Sequence, residues 1–348
     1  MVFQDITIEE WLEQRQKGLA LIDVRSPSEF AESTIPSSVN IPLFDDQERA
    51  EIGTLYKQVS VDAAKQRGLE IVSAKLPAFI KQFADIPGRK AVFCWRGGMR
   101  SRTTATLLSL MDIHAYRLDG GYRAYRHFVV ETLETMRFDP EMIVIHGNTG
   151  TGKTALLKKL QEKGHPVLDL EQMAGHRGSV FGHIGLQVHN QKMFDSLLLE
   201  ELLRYQDKPY VLMEAESKRV GKVVIPDFIV ARKGYGQHFR LELPVEARVE
   251  IILNDYKPWE FPEECYQAFQ KIKSRIHVPI AAEIDQSLKN GRYDRAVELL
   301  LLHYYDPRYS FTEGQYTEAE IIPIRAESID EATIEVERLL AERAPAEK

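Results

Sequence analysis

Cys94 opens the run Cys94-Trp95-Arg96-Gly97-Gly98-Met99-Arg100-Ser101, and the apolar Ala91-Val92-Phe93 leads into it. A thiol at a strand end is set up to ionise and attack when adjoining glycines let backbone N–H groups turn toward it and arginines add positive charge. Downstream stands Gly147-Asn148-Thr149-Gly150-Thr151-Gly152-Lys153-Thr154, the complete glycine-rich pattern of a loop that wraps phosphate. Gly147 and Gly152 permit the turns, and the amides of Asn148, Thr149, Gly150 and Thr151 ring a diphosphate. Lys153 neutralises its charge, and Thr154 is the usual magnesium ligand. The pattern does not name the ligand: ATP or GTP is commonest, and any diphosphate fits the same geometry.

An acid at the end of a strand beside such a loop can position a metal ion or a water. Tyr210-Val211-Leu212-Met213 ends at Glu214, Glu216 follows, and Asp169 comes after Val167-Leu168. All three are candidates, each weighed against a plain solvated strand-end acid. The run Gly175-His176-Arg177-Gly178-Ser179-Val180-Phe181-Gly182-His183 reads as a substrate loop in which Arg177 meets phosphate, and its histidines lack metal-site spacing. Cys94 also has rival readings. Its spacing to Arg100 and Ser101 suits a cysteine phosphatase, and a buried cysteine at a strand end suits simple packing.

These groups need a scaffold, and the chain alternates strands with helices in a first series and again in a second. Strands are expected at Ala20–Val24, Lys90–Phe93 and Ala115–Leu118, with helical turns at Ser28–Glu32, a long helix over Val61–Phe83 and another over Arg102–Met111. The second series starts with a strand at Met142–Ile145, then the phosphate loop and a helix over Lys153–Glu162. It continues with strands at Pro166–Leu168, Tyr210–Met213, Phe228–Ala231 and Arg240–Leu243. After Val245 the pattern is helical. Such alternation predicts α/β architecture with parallel sheets covered on both faces. The break between the series divides the chain into domains at 1–136 and 137–348.

A length of 348 residues suits two domains, and 44% hydrophobic with 28% charged residues is ordinary for a globular chain. No run of roughly 18 apolar residues predicts a membrane span. The amino terminus lacks the basic-then-apolar pattern of an export signal. Cys94 and Cys265 are the only cysteines, which excludes a disulfide framework and fits a reducing cytoplasm. A net charge of −7 repels nucleic acid at long range, so RNA binding would need local basic patches.

The segments Asp23-Val24-Arg25, Glu29-Phe30, Ile35-Pro36, Asn40-Ile41-Pro42 and Leu118-Asp119-Gly120-Gly121 resemble the landmark series of the rhodanese family. Phosphatases of the rival type usually carry His before the cysteine, where this chain has Phe93. The rhodanese resemblance implies a parallel-sheet domain with Cys94 as carrier of sulfur or selenium and Asp23 and Arg25 as structural residues. It further implies an anion cradle formed by Arg96, Gly97, Gly98 and Arg100. Coupled to this P-loop and to His176-Arg177-Gly178-Ser179, the cysteine run resembles the family of bacterial tRNA 2-selenouridine synthases across nearly the whole chain. That implies a P-loop NTPase-like α/β domain with a helical C-terminal part, following the rhodanese-like one.

It also implies a transferase acting on the wobble 2-thiouridine of the lysine, glutamate and glutamine tRNAs in the cytoplasm. Geranyl would pass from geranyl diphosphate to the sulfur, and selenium from selenophosphate would then replace the S-geranyl group through Cys94. On this reading the P-loop holds the diphosphate of the geranyl donor, and magnesium is optional. No tightly bound cofactor and no membrane are called for. An apolar pocket is expected in the helical part, with Trp259, Phe261, Tyr266 and Phe269 as its candidates against simple core packing. The rivals are an ATP-dependent rhodanese-type tRNA sulfurtransferase and a nucleotide-gated binding module with an inert rhodanese-like partner domain.

Overall fold

The computed structural model describes residues 3–308 and 321–343 and divides the chain into two compact units. One comprises Met1–Met136 with Asn190–Leu199, the other Arg137–His189 with Glu200–Lys348. In the first, β1 (Gln4–Ile6), β2 (Ala20–Asp23), β3 (Val39–Asn40), β4 (Lys90–Phe93) and β5 (Ala115–Leu118) pair in parallel in the order β1-β5-β4-β2-β3. Parallel neighbours require crossovers, here supplied by α1 (Ile8–Arg15), α2 (Pro27–Glu32), α3 (Asp46–Gln58), α4 (Val61–Ala84) and α5 (Met99–Leu110), with α6 (Gly121–Thr135) closing the series. Every residue of the central β4 is buried, as its near-continuous apolar run requires between two helical layers.

In the second unit β6 (Glu141–His146), β7 (Val167–Leu168), β8 (Tyr210–Glu214), β11 (Gln237–Glu242) and β12 (Ile321–Arg325) form a parallel sheet in the order β12-β11-β6-β8-β7. A short antiparallel ribbon joins β9 (Arg219–Val220) to β10 (Val223–Val224). The helices are α7 (Lys153–Glu162), α8 (Leu170–Ala174), the end of α9 (Gln191–Tyr205, grouped with the first unit as far as Leu199), α10 (Asp227–Lys233) and α11 (Val245–Tyr256), followed by α12 (Pro262–Gln270), α13 (Val278–Lys289), α14 (Tyr293–Leu300) and α15 (Ile329–Arg343). Cys94 follows β4, and the phosphate loop follows β6 at the centre of the other sheet. Both therefore stand at carboxyl ends of strands, where open parallel sheets bind ligands.

Two expectations need correction. Phe228–Ala231, read as a strand, lies in helix α10: Pro226 precedes it, Asp227 sits in the first turn, and Arg232 and Lys233 occupy the last turn, the charge order that a helix dipole favours. Only Ile229 of that apolar run is buried. The chain after Val245 is also not purely helical, because β12 adds an edge strand beside β11.

Candidate functional sites

The Cys94 loop is built on a buried ion pair. Asp23, at the end of β2, accepts hydrogen bonds from Arg25 Nε at 3.0 Å and Nη2 at 2.6 Å, from the Arg25 backbone N–H at 2.9 Å and from Thr34 Oγ1 at 2.9 Å. Arg25 also donates to the Ser33 carbonyl, and its guanidinium lies 4.3 Å from the Tyr122 ring and 5.9 Å from that of Trp95. Phe93, Trp95 and Tyr122 thus cage a cation beside the cysteine. The loop is fastened from the other side by Arg117, which takes Asp5 with two nitrogens and donates to the Gly97 carbonyl at 2.6 Å.

Cys94 is nearly enclosed, and its Sγ lies 3.2 Å from Ser101 Oγ. Ser101 is in the first turn of α5, which begins at Met99 rather than at Arg102 as the sequence suggested. The sulfur therefore sits at a helix N-terminus, where unpaired N–H groups and the dipole favour an anion. Gly97 has φ +64 and Gly121 φ +59, and a Cβ on Gly121 would collide with the Cys94 carbonyl and lie 2.5 Å from Gly97 N. Arg96 is exposed and Gly98 faces open space, so both are available to an incoming anion. Arg100 is not: it is paired with Glu29 of α2, Nη2 to Oε1 at 3.2 Å. Of the expected cradle, Gly97 shapes the loop and Arg100 ties it to α2.

In the second unit the phosphate loop closes around a polar cavity of about 400 Å³, lined by Gly147, Asn148, Thr149, Gly150, Gly152, Lys153 and Thr154. Thr151 is the exception, buried with its hydroxyl donated to the Asn148 carbonyl at 2.9 Å. Lys153 Nζ rests on the Gly147 carbonyl at 2.8 Å. Thr154 Oγ1 lies 3.0 Å from Glu171 Oε2 and 2.7 Å from Glu214 Oε1. One hydroxyl hydrogen serves only one of these acids, so a neutral carboxyl completes the arrangement. Burial, then the neighbouring Glu216, raises Glu171 to about 7. Burial, then Glu171, raises Glu214 well above the usual carboxylate range, and burial also raises Glu216.

Glu216 and Arg177 line the cavity as well. Arg177, however, donates to the Ile184 carbonyl at 2.9 Å and the Asp255 carbonyl at 2.7 Å, and stacks on Tyr256. It anchors the 175–189 loop more than it reaches for phosphate. Asp169 does not line the cavity; its carboxylate caps α8 by accepting from Gln172 N at 2.8 Å. Glu171, in the first turn of α8, joins Glu214 at the Thr154 hydroxyl and was not among the acids the sequence pointed to. Lys233, Arg240 and His146 also line the cavity and were likewise not singled out. His146 pairs with His238 at 2.6 Å, and burial, then His238, lowers it to about 3, which keeps it neutral.

Hydroxyl and carboxylate oxygens are the hard donors magnesium prefers, usually one or two carboxylates with phosphate oxygens completing the shell. Thr154, Glu171 and Glu214 fit this description, and Glu214 Oε2 is buried with no hydrogen-bond partner. Among the described residues no set of three His, Cys, Asp or Glu could hold a metal, so such an ion would depend on Thr154 and on the ligand itself.

A second cavity, apolar and about 60 Å³, lies beside it and shares Thr149, Ser179, Ile252, Tyr256 and Tyr305 with the polar one. Its remaining lining includes Phe181, Cys265, Leu288, Tyr293, Ala296 and Leu300. The expected aromatic residues do not line it: Phe269 is fully buried in the helical core, Trp259 is 53% exposed, Tyr266 bonds Asp285, and Phe261 packs near Gly185. The region was right and the residues were not, because the pocket lies beneath α14. Arg248 binds both regions together. Its side chain donates to the Thr149 carbonyl at 2.7 Å and to Asp306 at 2.7 and 2.9 Å, and Asp306 also accepts from Asn148 Nδ2.

The molecule is thus a rhodanese-like unit with a loop cysteine joined to a P-loop α/β unit whose polar cavity adjoins an apolar pocket. Residues 8–127 match the rhodanese-like domain, and residues 140–337 match the tRNA 2-selenouridine synthase AAA domain. The chain belongs to the tRNA 2-selenouridine synthase family. It is 33% identical to the tRNA 2-selenouridine synthase of Cupriavidus necator over 88% of this chain and 91% of that protein. It is 34% identical to that of Hydrogenovibrio crunogenus over 85% and 89%, and 30% identical to that of Nitrosomonas europaea over 83% and 88%. Among the described residues no helix is long and apolar enough to cross a membrane.

Proposed function

We propose that the protein is a cytoplasmic transferase that converts the wobble 2-thiouridine of the lysine, glutamate and glutamine tRNAs to 2-selenouridine in two stages. The observation that carries this reading is the adjacency of the P-loop cavity to an apolar one, the two sharing five wall residues. A nucleotide would place a polar ribose beside that apolar wall, whereas a geranyl diphosphate places a hydrocarbon there, and burying hydrocarbon is favourable.

In the first stage the thiouridine sulfur attacks C1 of the geranyl chain. The S–C bond forms, the C–O bond to diphosphate breaks, and the base gives up its N3 proton. The loop amides and Lys153 hold the departing diphosphate, stabilising charge where it develops. Magnesium held by Thr154, Glu171 and Glu214 would supply further positive charge there. In the second stage selenophosphate is bound at the Cys94 loop and its selenium, kept at the selenide level, attacks the base carbon as the C–S bond to the S-geranyl group breaks. Geranyl thiol leaves, and cleavage of the P–Se bond by water leaves phosphate, with no net oxidation. Arg96 and the α5 N-terminus supply the anion-binding groups at Cys94.

The test is to incubate the full-length protein with 2-thiouridine RNA and geranyl diphosphate, selenophosphate or both, and to weigh the digested nucleosides. S-geranyl-2-thiouridine is expected with the first alone and 2-selenouridine only with both. Tight ATP binding, hydrolysis in step with turnover and no competition by geranyl diphosphate would instead install the ATP-dependent sulfurtransferase.

A further inference from the structure

Tyr293, Ala296, Val297 and Leu300 fall on one face of α14, and all four line the apolar cavity without touching the polar one. That spacing of three, one and three residues is a single helical stripe. Within it Ala296, fully buried, is the smallest side chain, so the wall is recessed at that point. Leu288 of α13 lines the same cavity and packs against the helical core.

The apolar cavity, about 60 Å³, is small beside the polar one of about 400 Å³, and its walls suit the end of a hydrocarbon chain rather than a charged head. The unit bearing the diphosphate then lies along the rim shared with the polar cavity, against Ile252, Tyr256 and Tyr305. We propose, resting on the geranyl-donor reading, that the apolar cavity gauges the donor's chain length. It seats the terminal isoprene unit, and Ala296 and Leu288 set where the tail must end. The ligand class is an allylic diphosphate of two isoprene units, discriminated from one and from three.

Filling the recess removes the seat of the terminal unit, and truncating Leu288 extends it. With full-length protein and 2-thiouridine RNA, kcat/KM is measured for dimethylallyl, geranyl and farnesyl diphosphates in the parent chain, Ala296→Leu and Leu288→Ala. Burying one isoprene unit favours geranyl over dimethylallyl by on the order of 100-fold, and Ala296→Leu should erase most of that preference. Leu288→Ala should raise the farnesyl-to-geranyl ratio at least about tenfold. Inhibition by inorganic pyrophosphate should match the parent in both variants, because neither residue touches the phosphate cavity. Overpacking by leucine at a buried alanine can itself unfold a core, so the truncation variant tests the gauge in the opposite direction. Unchanged donor ratios with pyrophosphate inhibition intact would overturn the gauge alone. A parent chain that transfers no prenyl group from any donor would overturn the functional reading beneath it.

Discussion

Asp23 and Arg25 show how a charge can be structural beside a reactive centre. Both are buried, and the guanidinium is enclosed by Phe93, Trp95 and Tyr122. Breaking such a pair strands the surviving charge, at a cost of about 3–5 kcal/mol, whereas replacing both partners with apolar groups often costs little. Asp23→Ala should therefore destabilise the protein in urea melts by about that amount, and Asp23→Leu with Arg25→Met by clearly less. At the second centre the acids set a pH dependence. Glu171 is raised from 4.5 to about 7, chiefly by burial, so its stabilising form is the neutral one. That contribution is fully present below about pH 4.5 and is lost as pH rises through about 7, with Glu214 shifted in the same direction. Ligand-free protein should lose stability over this window. Glu171→Gln, neutral throughout, should flatten the decline in thermal melts between pH 5 and pH 8.

Among the elements, the two turns that carry the chemistry were legible because glycine patterns mark them, while their partners were not. The Cys94 loop needs Gly97 and Gly121 to pass against each other with positive φ, and any Cβ on Gly121 meets backbone on the loop. Gly121→Ala should abolish selenation and lower the melting temperature, with geranyl transfer, on the other unit, retained in nucleoside mass analysis. If the purified variant kept both steps, close passage of the two turns would not be what shapes the loop. Sequence spacing located β4, β6 and the P-loop helix because each is a buried apolar run or follows one. It missed Glu171 because β7 is only two residues long and the obvious strand-end acid, Asp169, is committed to capping α8. The apolar pocket hid for a similar reason: its walls come largely from α11, α12, α13 and α14, and only their packing decides which apolar residues face a void. Phe228–Ala231 misled because four apolar residues in a row fit strand or helix alike, and the flanking proline and charges carried the deciding information.

At the level of the molecule, each sheet bears one candidate site at its strand ends, Cys94 after β4 and the phosphate loop after β6. The units are nevertheless not colinear with the chain. The first half of α9 groups with the first unit, where Asp195 pairs with Arg126 and Lys192 lies over the Trp95 ring. On the proposed two-stage reading each half-reaction belongs to the residues of one unit, so the half-reactions should separate. Cys94→Ala should form S-geranyl-2-thiouridine at near the parent rate and stop there. Lys153→Ala should lose geranyl transfer by roughly 100-fold or more, as expected when charge stabilisation of a leaving group is removed, yet selenate RNA that is already geranylated. Mixed in one tube with 2-thiouridine RNA, geranyl diphosphate and selenophosphate, the two variants should then restore 2-selenouridine that neither makes alone. If each half-reaction runs separately but the mixture yields only S-geranyl product, the intermediate does not leave the protein on which it forms.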